Sequence, residues 1–126
     1  MTEPDKPADG LPASSHALAI RTRHDGRGVV CEVAGEVDLV TADQFRTGLT
    51  QALEDKPAVV VVDLTGLTFL GSVGLSVLIE TNTAAGPGVL RIVAGNREPR
   101  RAIEIMGLHQ VLTIRATVDE ALSVNA

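Results

Sequence analysis

Residues 58–78 read AVVVVDLTGLTFLGSVGLSVL, and how that stretch divides decides the fold. Ala58 to Val62 is apolar at every position, the pattern of a strand covered on both faces within a parallel sheet. From Val73 onward, Leu75, Leu78 and Ile79 recur at helical spacing, and AAGPG at 84–88 puts glycine and proline where a helix has to stop. A helix is therefore predicted over 73–83. Between strand and helix sit Gly71, Ser72, Val73 and Gly74, with little room for a loop.

Working outward, Leu18, Ile20 and Thr22 alternate with Ala19, Arg21 and Arg23, and HDGRG at 24–28 supplies turn chemistry. Val29, Cys31 and Val33 then alternate again, so this segment reads as an antiparallel strand pair. After GEVD at 35–38, Thr41 and Gln44 have capping-box spacing, and Phe45, Leu49, Ala52 and Leu53 form a stripe, which predicts a helix over 42–53. Downstream, Val89 to Val93 is a short strand. Asn96 caps a predicted helix through Met106, with Pro99 in its first turn and Gly107 at its end. Val111 to Ile114 is a fifth strand, and Thr117 with Glu120 forms a second capping box that opens a terminal helix.

The predicted fold is a single α/β domain with a mixed, mostly parallel sheet of four to five strands and about four helices covering it. Its length of 126 residues suits one core. Residues 1–15, with three of the six prolines, cannot bury enough surface to order themselves and are expected to form a flexible tail; the domain runs over 16–126. Aromatic residues make up only 2% of the chain, so the core is aliphatic and no stacking platform for single-stranded nucleic acid is available. The net charge of -5 argues against a phosphate-backbone partner. Cys31 is alone, which suits a reducing compartment, and its valine neighbours favour a buried thiol. The longest apolar run is far short of the roughly 18 residues that span a bilayer, and the amino-terminal stretch lacks a signal-peptide core. The expected setting is the cytoplasm.

In a sheet of this kind, loops at the carboxyl ends of the strands gather on one edge, where ligands bind. Three are expected to meet there: GEVDLVT, LTFLGSVG and AGNREP. Their chemistry excludes the familiar catalytic and phosphate motifs. Gly66 and Gly71 have P-loop spacing, but Ser72 stands where lysine is required. Leu70 stands where a G-x-S-x-G elbow needs its first glycine. His16, His24 and His109 are scattered without metal-ligand spacing. Glu36 and Asp38 would make an acid pair, with solvation at a strand end as the plainer reading. Neither a cofactor nor a metal is implied. Ser72 is expected to cap the second helix through its hydroxyl. Gly74 inside the first helical turn costs roughly 1 kcal/mol relative to alanine, and the reading offered for it is the close approach of a protein partner to a smooth rim.

At these residues the chain resembles the STAS domain of bacterial anti-sigma factor antagonists. The likeness covers about 16 to 124 and rests on GEVDLVTADQF, VVVVDLTGLTFLGSVGLSVL and PRRAIEIMGLHQVLTI in that order. It implies a protein that is not an enzyme and that binds an anti-sigma factor, often a serine kinase, so that a sigma factor is released; phosphorylation ends the binding. The family's switch motif, Asp-Ser-Ser/Thr-Gly-Leu, falls on Gly71, Ser72, Val73, Gly74 and Leu75. Valine therefore occupies the usual acceptor place, leaving Ser72 as the candidate phosphorylation site. Asp38 and Thr41 match the family's stretch beside the switch loop, and either shape the contact or cap the helix. Arg97, Arg100 and Arg101 would meet an acidic partner or form a solvated face. The alternatives are a STAS-like module that binds a small ligand or serves as a scaffold in a sensory complex and, ranked last, an enzyme dependent on Ser72.

Overall fold

The valine run opens a strand that continues well beyond it. In the computed structural model, which describes residues 17–95 and 97–123, this strand spans Val60–Leu70, eleven residues, and takes in LTGLTFL, which the sequence reading assigned in part to a loop. The elements in chain order are β1 (Leu18–Asp25), β2 (Gly28–Val37), α1 (Ala42–Ala52), β3 (Val60–Leu70), α2 (Ser72–Ala85), β4 (Leu90–Val93), α3 (Arg97–Ile105), a 3-10 turn at Leu108–Gln110, β5 (Thr113–Arg115) and α4 (Val118–Leu122). The predicted tail, His16 and the capping role of Asn96 lie outside the described residues, as does the end of the chain from 124 onward. Among the described residues, no helix is long and apolar enough to cross a membrane.

The five strands lie side by side in sequence order, with β1 antiparallel to β2 and every later pair parallel. This is the mixed, mostly parallel sheet that the pattern predicts. Phe45, Leu49 and Ala52 of α1, Leu75, Val77 and Leu78 of α2, and Ile103 of α3 pack into one cluster with Val29, Cys31, Val33, Val60, Val62 and Ile92 of the sheet. Full burial of a side chain such as Phe45 stabilises the fold by about 1.5–3 kcal/mol. On the opposite face, Ala121 and Leu122 of α4 cover Val30, Val59, Val61 and Val93. That second cover is partial, and Ala19, Arg21, Ala34, Thr65 and Gly66 remain exposed, so helices close one face of the sheet and only part of the other. Burial pushes the Cys31 thiol pKa up, and the Thr22 hydroxyl lies 3.8 Å from its sulfur.

Two irregularities shape β3. Opposite β2, Glu32 pairs with Asp63 but Ala34 with Gly66, and Gly35 pairs with Leu67 but Glu36 with Phe69. Each step inserts one extra residue into β3, a bulge. Side chains fill both: the Asp63 carboxylate accepts from the Thr65 amide at 3.0 Å and the Thr65 hydroxyl at 2.8 Å, and the Thr68 hydroxyl donates to the Gly35 carbonyl at 3.2 Å. Each extra residue shifts the alternation by one, so the inward positions run Val60, Val62, Leu64 and then Leu67 and Leu70.

Other boundaries differ from the predicted ones for local reasons. Ala58 is exposed and precedes the strand, so the fully apolar part of β3 covered on both sides reduces to Val60–Val62. The fifth strand begins at Thr113, because the chain after Gly107, held at φ 71° in the left-handed region, first makes a 3-10 turn. At α4 the N-cap half of the predicted capping box forms, with Thr117 Oγ1 accepting from the Glu120 amide at 3.1 Å, while Glu120 Oε1 reaches back one residue further, to the Ala116 amide at 3.3 Å. Arg91, buried in β4, donates to the Ala121 carbonyl at 2.8 Å and the Ser123 carbonyl at 2.5 Å. A cation thus anchors the carboxyl end of α4, where the peptide dipoles favour one.

Candidate functional site

The ends of β2 and β3 are fastened together. The Gly71 amide donates to the Val37 carbonyl at 2.9 Å, which brings the loop after β2 and the start of α2 to one edge of the sheet. The third loop does not join them. β4 ends opposite Asp63, and Gly95 lies against the Thr65 methyl group, whereas Leu70 is seven residues further along β3. The expected meeting of three loops is therefore a meeting of two. The charges of α3 stand apart as well: Arg100 pairs with Glu104 on its own helix at 3.2 Å, and Arg101 is solvent-exposed.

The loop from Asp38 to Thr41 is locked by its own polar groups. Asp38 Oδ1 accepts from the amides of Val40 at 2.9 Å and Thr41 at 3.1 Å. Thr41, only 3% exposed, accepts at Oγ1 from the Asp38 amide at 3.0 Å and donates to the Glu36 carbonyl at 2.8 Å. The predicted Thr41–Gln44 capping box is consequently absent. The Thr41 hydroxyl is turned back into the loop, its backbone is already helical at φ -99° and ψ -3°, and Gln44 donates instead to the Leu18 carbonyl at 2.9 Å, tying α1 to β1. Asp38 supplies the local cap in the manner of an Asx turn. Glu36 and Asp38 therefore do not form an acid pair: Glu36 is a strand residue, and the Asp38 carboxylate is engaged with the backbone.

Between those two locking residues, Leu39 and Val40 project into solvent, 86% and 67% exposed. Phe69, at the end of β3, is 42% exposed. None of these three was singled out from the sequence. Leu39 continues the odd-numbered alternation of Val29, Cys31, Val33 and Val37 and so reads as a core position, and Val40 alone falls outside both that alternation and the buried stripe of α1.

At the start of α2 the roles of Gly71 and Ser72 shift by one from the prediction. Gly71 is the N-cap, at φ -80° and ψ 172°, and Ser72 is the first helical residue, exposed and making no capping bond. A Cβ on Gly71 would stand 3.2 Å from Phe69 Cε2, so the phenyl ring occupies the space that a side chain at this position would take. Val73 is half-buried. Gly74 is buried, and a Cβ there would meet Leu70 Cδ1 at 2.6 Å and Val37 Cγ1 at 2.7 Å. The absence of its side chain lets α2 seat against the ends of β2 and β3; it does not open a path for an outside chain, which corrects the reading given to this glycine.

The rim of this edge bears no charged side chain and is partly apolar: Gly71, Ser72 and Val73 stand on one side of the Gly71–Val37 bond, Leu39 and Val40 on the other, with Phe69 beside Gly71. Among the described residues, no group of three or more His, Cys, Asp or Glu is placed to hold a metal ion. His24 and His109 are both exposed and lie on separate elements, the hairpin and the 3-10 turn. Such a surface fits contact with another polypeptide better than acid–base or nucleophilic chemistry.

The sequence profile of the STAS domain matches residues 19–121. The chain is 36% identical over 101 residues to the anti-sigma-F factor antagonist RsfB of Mycobacterium tuberculosis, covering 79% of this chain and 82% of that one. It is 31% identical over 113 residues to RsfA of the same organism, another anti-sigma-F factor antagonist, covering 86% and 88%. The crystal structure of an anti-sigma factor antagonist from Mycobacterium paratuberculosis superposes with a TM-score of 0.82 at 31% identity, covering 86% of this chain and 94% of that one.

Proposed function

The chain belongs to the STAS domain family, and from that premise we propose that it is an anti-sigma factor antagonist, which binds an anti-sigma factor in the cytoplasm and so leaves a sigma factor free for transcription. The observation that carries the reading is the likeness to RsfB over four fifths of both chains. The protein acts by occupying its partner, an anti-sigma factor of the serine-kinase type, and not by transforming a substrate. Docking uses the rim of Gly71, Ser72 and Val73, shaped by the loop that Asp38 and Thr41 hold; Gly74 contributes from beneath by seating the helix.

The switch is degenerate. Val73 stands where the family's usual acceptor hydroxyl would be, and a valine has no oxygen to phosphorylate. The neighbouring Ser72 hydroxyl is exposed on the same rim. A phosphate there would add a charge of about -1.5 to -2 to a rim that bears none of its own and oppose a contact that buries Ser72 against apolar groups. The protein is thus either unswitched or switched through Ser72. Purified anti-sigma factors, mixed with the protein and ATP, test both parts by pull-down and intact mass. The expected result is a stable complex, with either no mass change or one phosphate that disappears in Ser72→Ala. Failure of every anti-sigma factor to bind would overturn the function, and a phosphate on any other residue would overturn the switch.

A further inference from the structure

Resting on that reading, we infer that Leu39 and Val40 are the anchors of the docking edge, entering an apolar pocket on the anti-sigma factor whose rim is basic. Whereas the exposed apolar side chains of Ile105, Met106 and Val111 lie at and beyond the end of α3, Leu39 and Val40 are adjacent on this edge at 86% and 67% exposure. They do not sit on a floppy tip. Asp38 Oδ1 holds the amides of Val40 and Thr41, and the buried Thr41 hydroxyl bridges the Asp38 amide and the Glu36 carbonyl, so the backbone beneath both side chains is fixed before a partner arrives. A preorganised anchor loses little freedom on binding, the property that concentrates affinity in a few residues. The Gly71–Val37 bond places the same loop next to the rim of Ser72 and Val73, so both belong to one continuous contact.

Charge identifies the pocket that receives them. From Glu36 to Arg46, and from Phe69 to Glu80, the elements forming this edge carry the carboxylates of Glu36, Asp38, Asp43 and Glu80 against one guanidinium. That guanidinium, Arg46, is already bonded to Asp43 at 3.0 Å and to Glu80 at 3.2 Å. Among the described residues of these elements the carboxylates thus outnumber the guanidinium beside the apolar pair, and a partner that desolvates it without repulsion presents lysine or arginine around an apolar floor.

The test takes whichever purified anti-sigma factor binds the wild-type protein and measures affinity by calorimetry at low and high salt. It compares the wild type with Leu39→Ala/Val40→Ala and with Glu36→Gln/Asp43→Asn. The aliphatic double variant should keep the wild-type circular dichroism and melting curve, because neither side chain is buried, and should bind at least about tenfold more weakly. Wild-type affinity should fall as salt rises, and the amide variant should reduce that dependence. An aliphatic double variant within about threefold of wild type, or a wild-type affinity indifferent to salt, overturns this inference and leaves the proposed function standing. Absence of binding by the wild type sinks the function and, with it, the partner named here. Sedimentation of the protein alone closes the remaining route: a dimer that Leu39→Ala/Val40→Ala dissociates would assign the patch to a second copy of this chain and overturn the inference.

Discussion

Gly74→Ala sets helix propensity against packing. In an exposed helix the change would stabilise by about 1 kcal/mol, because alanine loses less backbone freedom than glycine. At Gly74 the new methyl group would stand 2.6 Å from Leu70 Cδ1 and 2.7 Å from Val37 Cγ1, with Val37 Cβ at 3.3 Å. Leu70 can yield at its tip. Val37 cannot: it is β-branched, fully buried and held in β2 beneath the helix, so α2 itself must lift. Overpacking of a closed site costs about 1–3 kcal/mol. Subtracting the propensity gain leaves a net destabilisation of roughly 1 kcal/mol, or about 4 °C in Tm for a domain of this size. Val37→Ala alone should cost about 2 kcal/mol, from two lost methyl groups at about 0.8 kcal/mol each and a small cavity. In the double variant the methyl on residue 74 fills the space that Val37 vacates, so the combined loss should fall about 1 kcal/mol or more short of the sum. The chain has neither Trp nor Tyr, so urea unfolding is best followed by far-ultraviolet circular dichroism. A Gly74→Ala protein more stable than wild type, or a strictly additive double variant, would refute the inward packing of this glycine.

Two further outcomes follow from groups away from the rim. Thr41→Val removes a buried hydroxyl that bonds both the Asp38 amide and the Glu36 carbonyl, and should cost about 1–3 kcal/mol in urea unfolding, whereas Thr41→Ser should recover most of it. Burial raises the Cys31 thiol pKa above its unfolded value near 8.5, so its contribution to stability is complete below about pH 8.5 and declines as pH rises through the folded pKa. Stability measured from pH 7 to 10 should fall in the wild type and fall less in Cys31→Ala.

Much of this architecture was legible because period and composition agree. The alternation at Leu18–Val33, the stripe Phe45, Leu49 and Ala52, and the unbroken valines of β3 each state one answer, and these elements start within a few residues of their predicted places, although β3 runs eight residues past its predicted end at Val62. What was hidden depends on tertiary pairing. Leu64, Leu67 and Leu70 are three apart, which matches neither a regular strand nor a helix face; only the register against β2 reveals two extra residues that move the inward phase. Thr41 and Gln44 satisfy the capping-box spacing, but Asp38, three residues earlier, takes the Thr41 amide, and the Thr41 hydroxyl turns to the Glu36 carbonyl. Gly74 announced a close approach, correctly, without saying from which side. Of the proposed docking edge, the Gly71, Ser72 and Val73 half follows from the sequence. Its other half went unread because Leu39 continues the alternation of β2 as a core position would, and only exposure separates Leu39 and Val40 from core residues.

The paired bulges of β3 also constrain how the gene can vary. A one-codon deletion at Thr65 or Thr68 would remove a bulge and still leave Leu67 opposite Gly35 and Leu70 opposite Val37, facing inward as before. The same deletion within the regular run Val60–Val62 would exchange inside for outside until a bulge absorbed the slip. The bulges are thus the places where this segment can lose a residue and keep its inward phase.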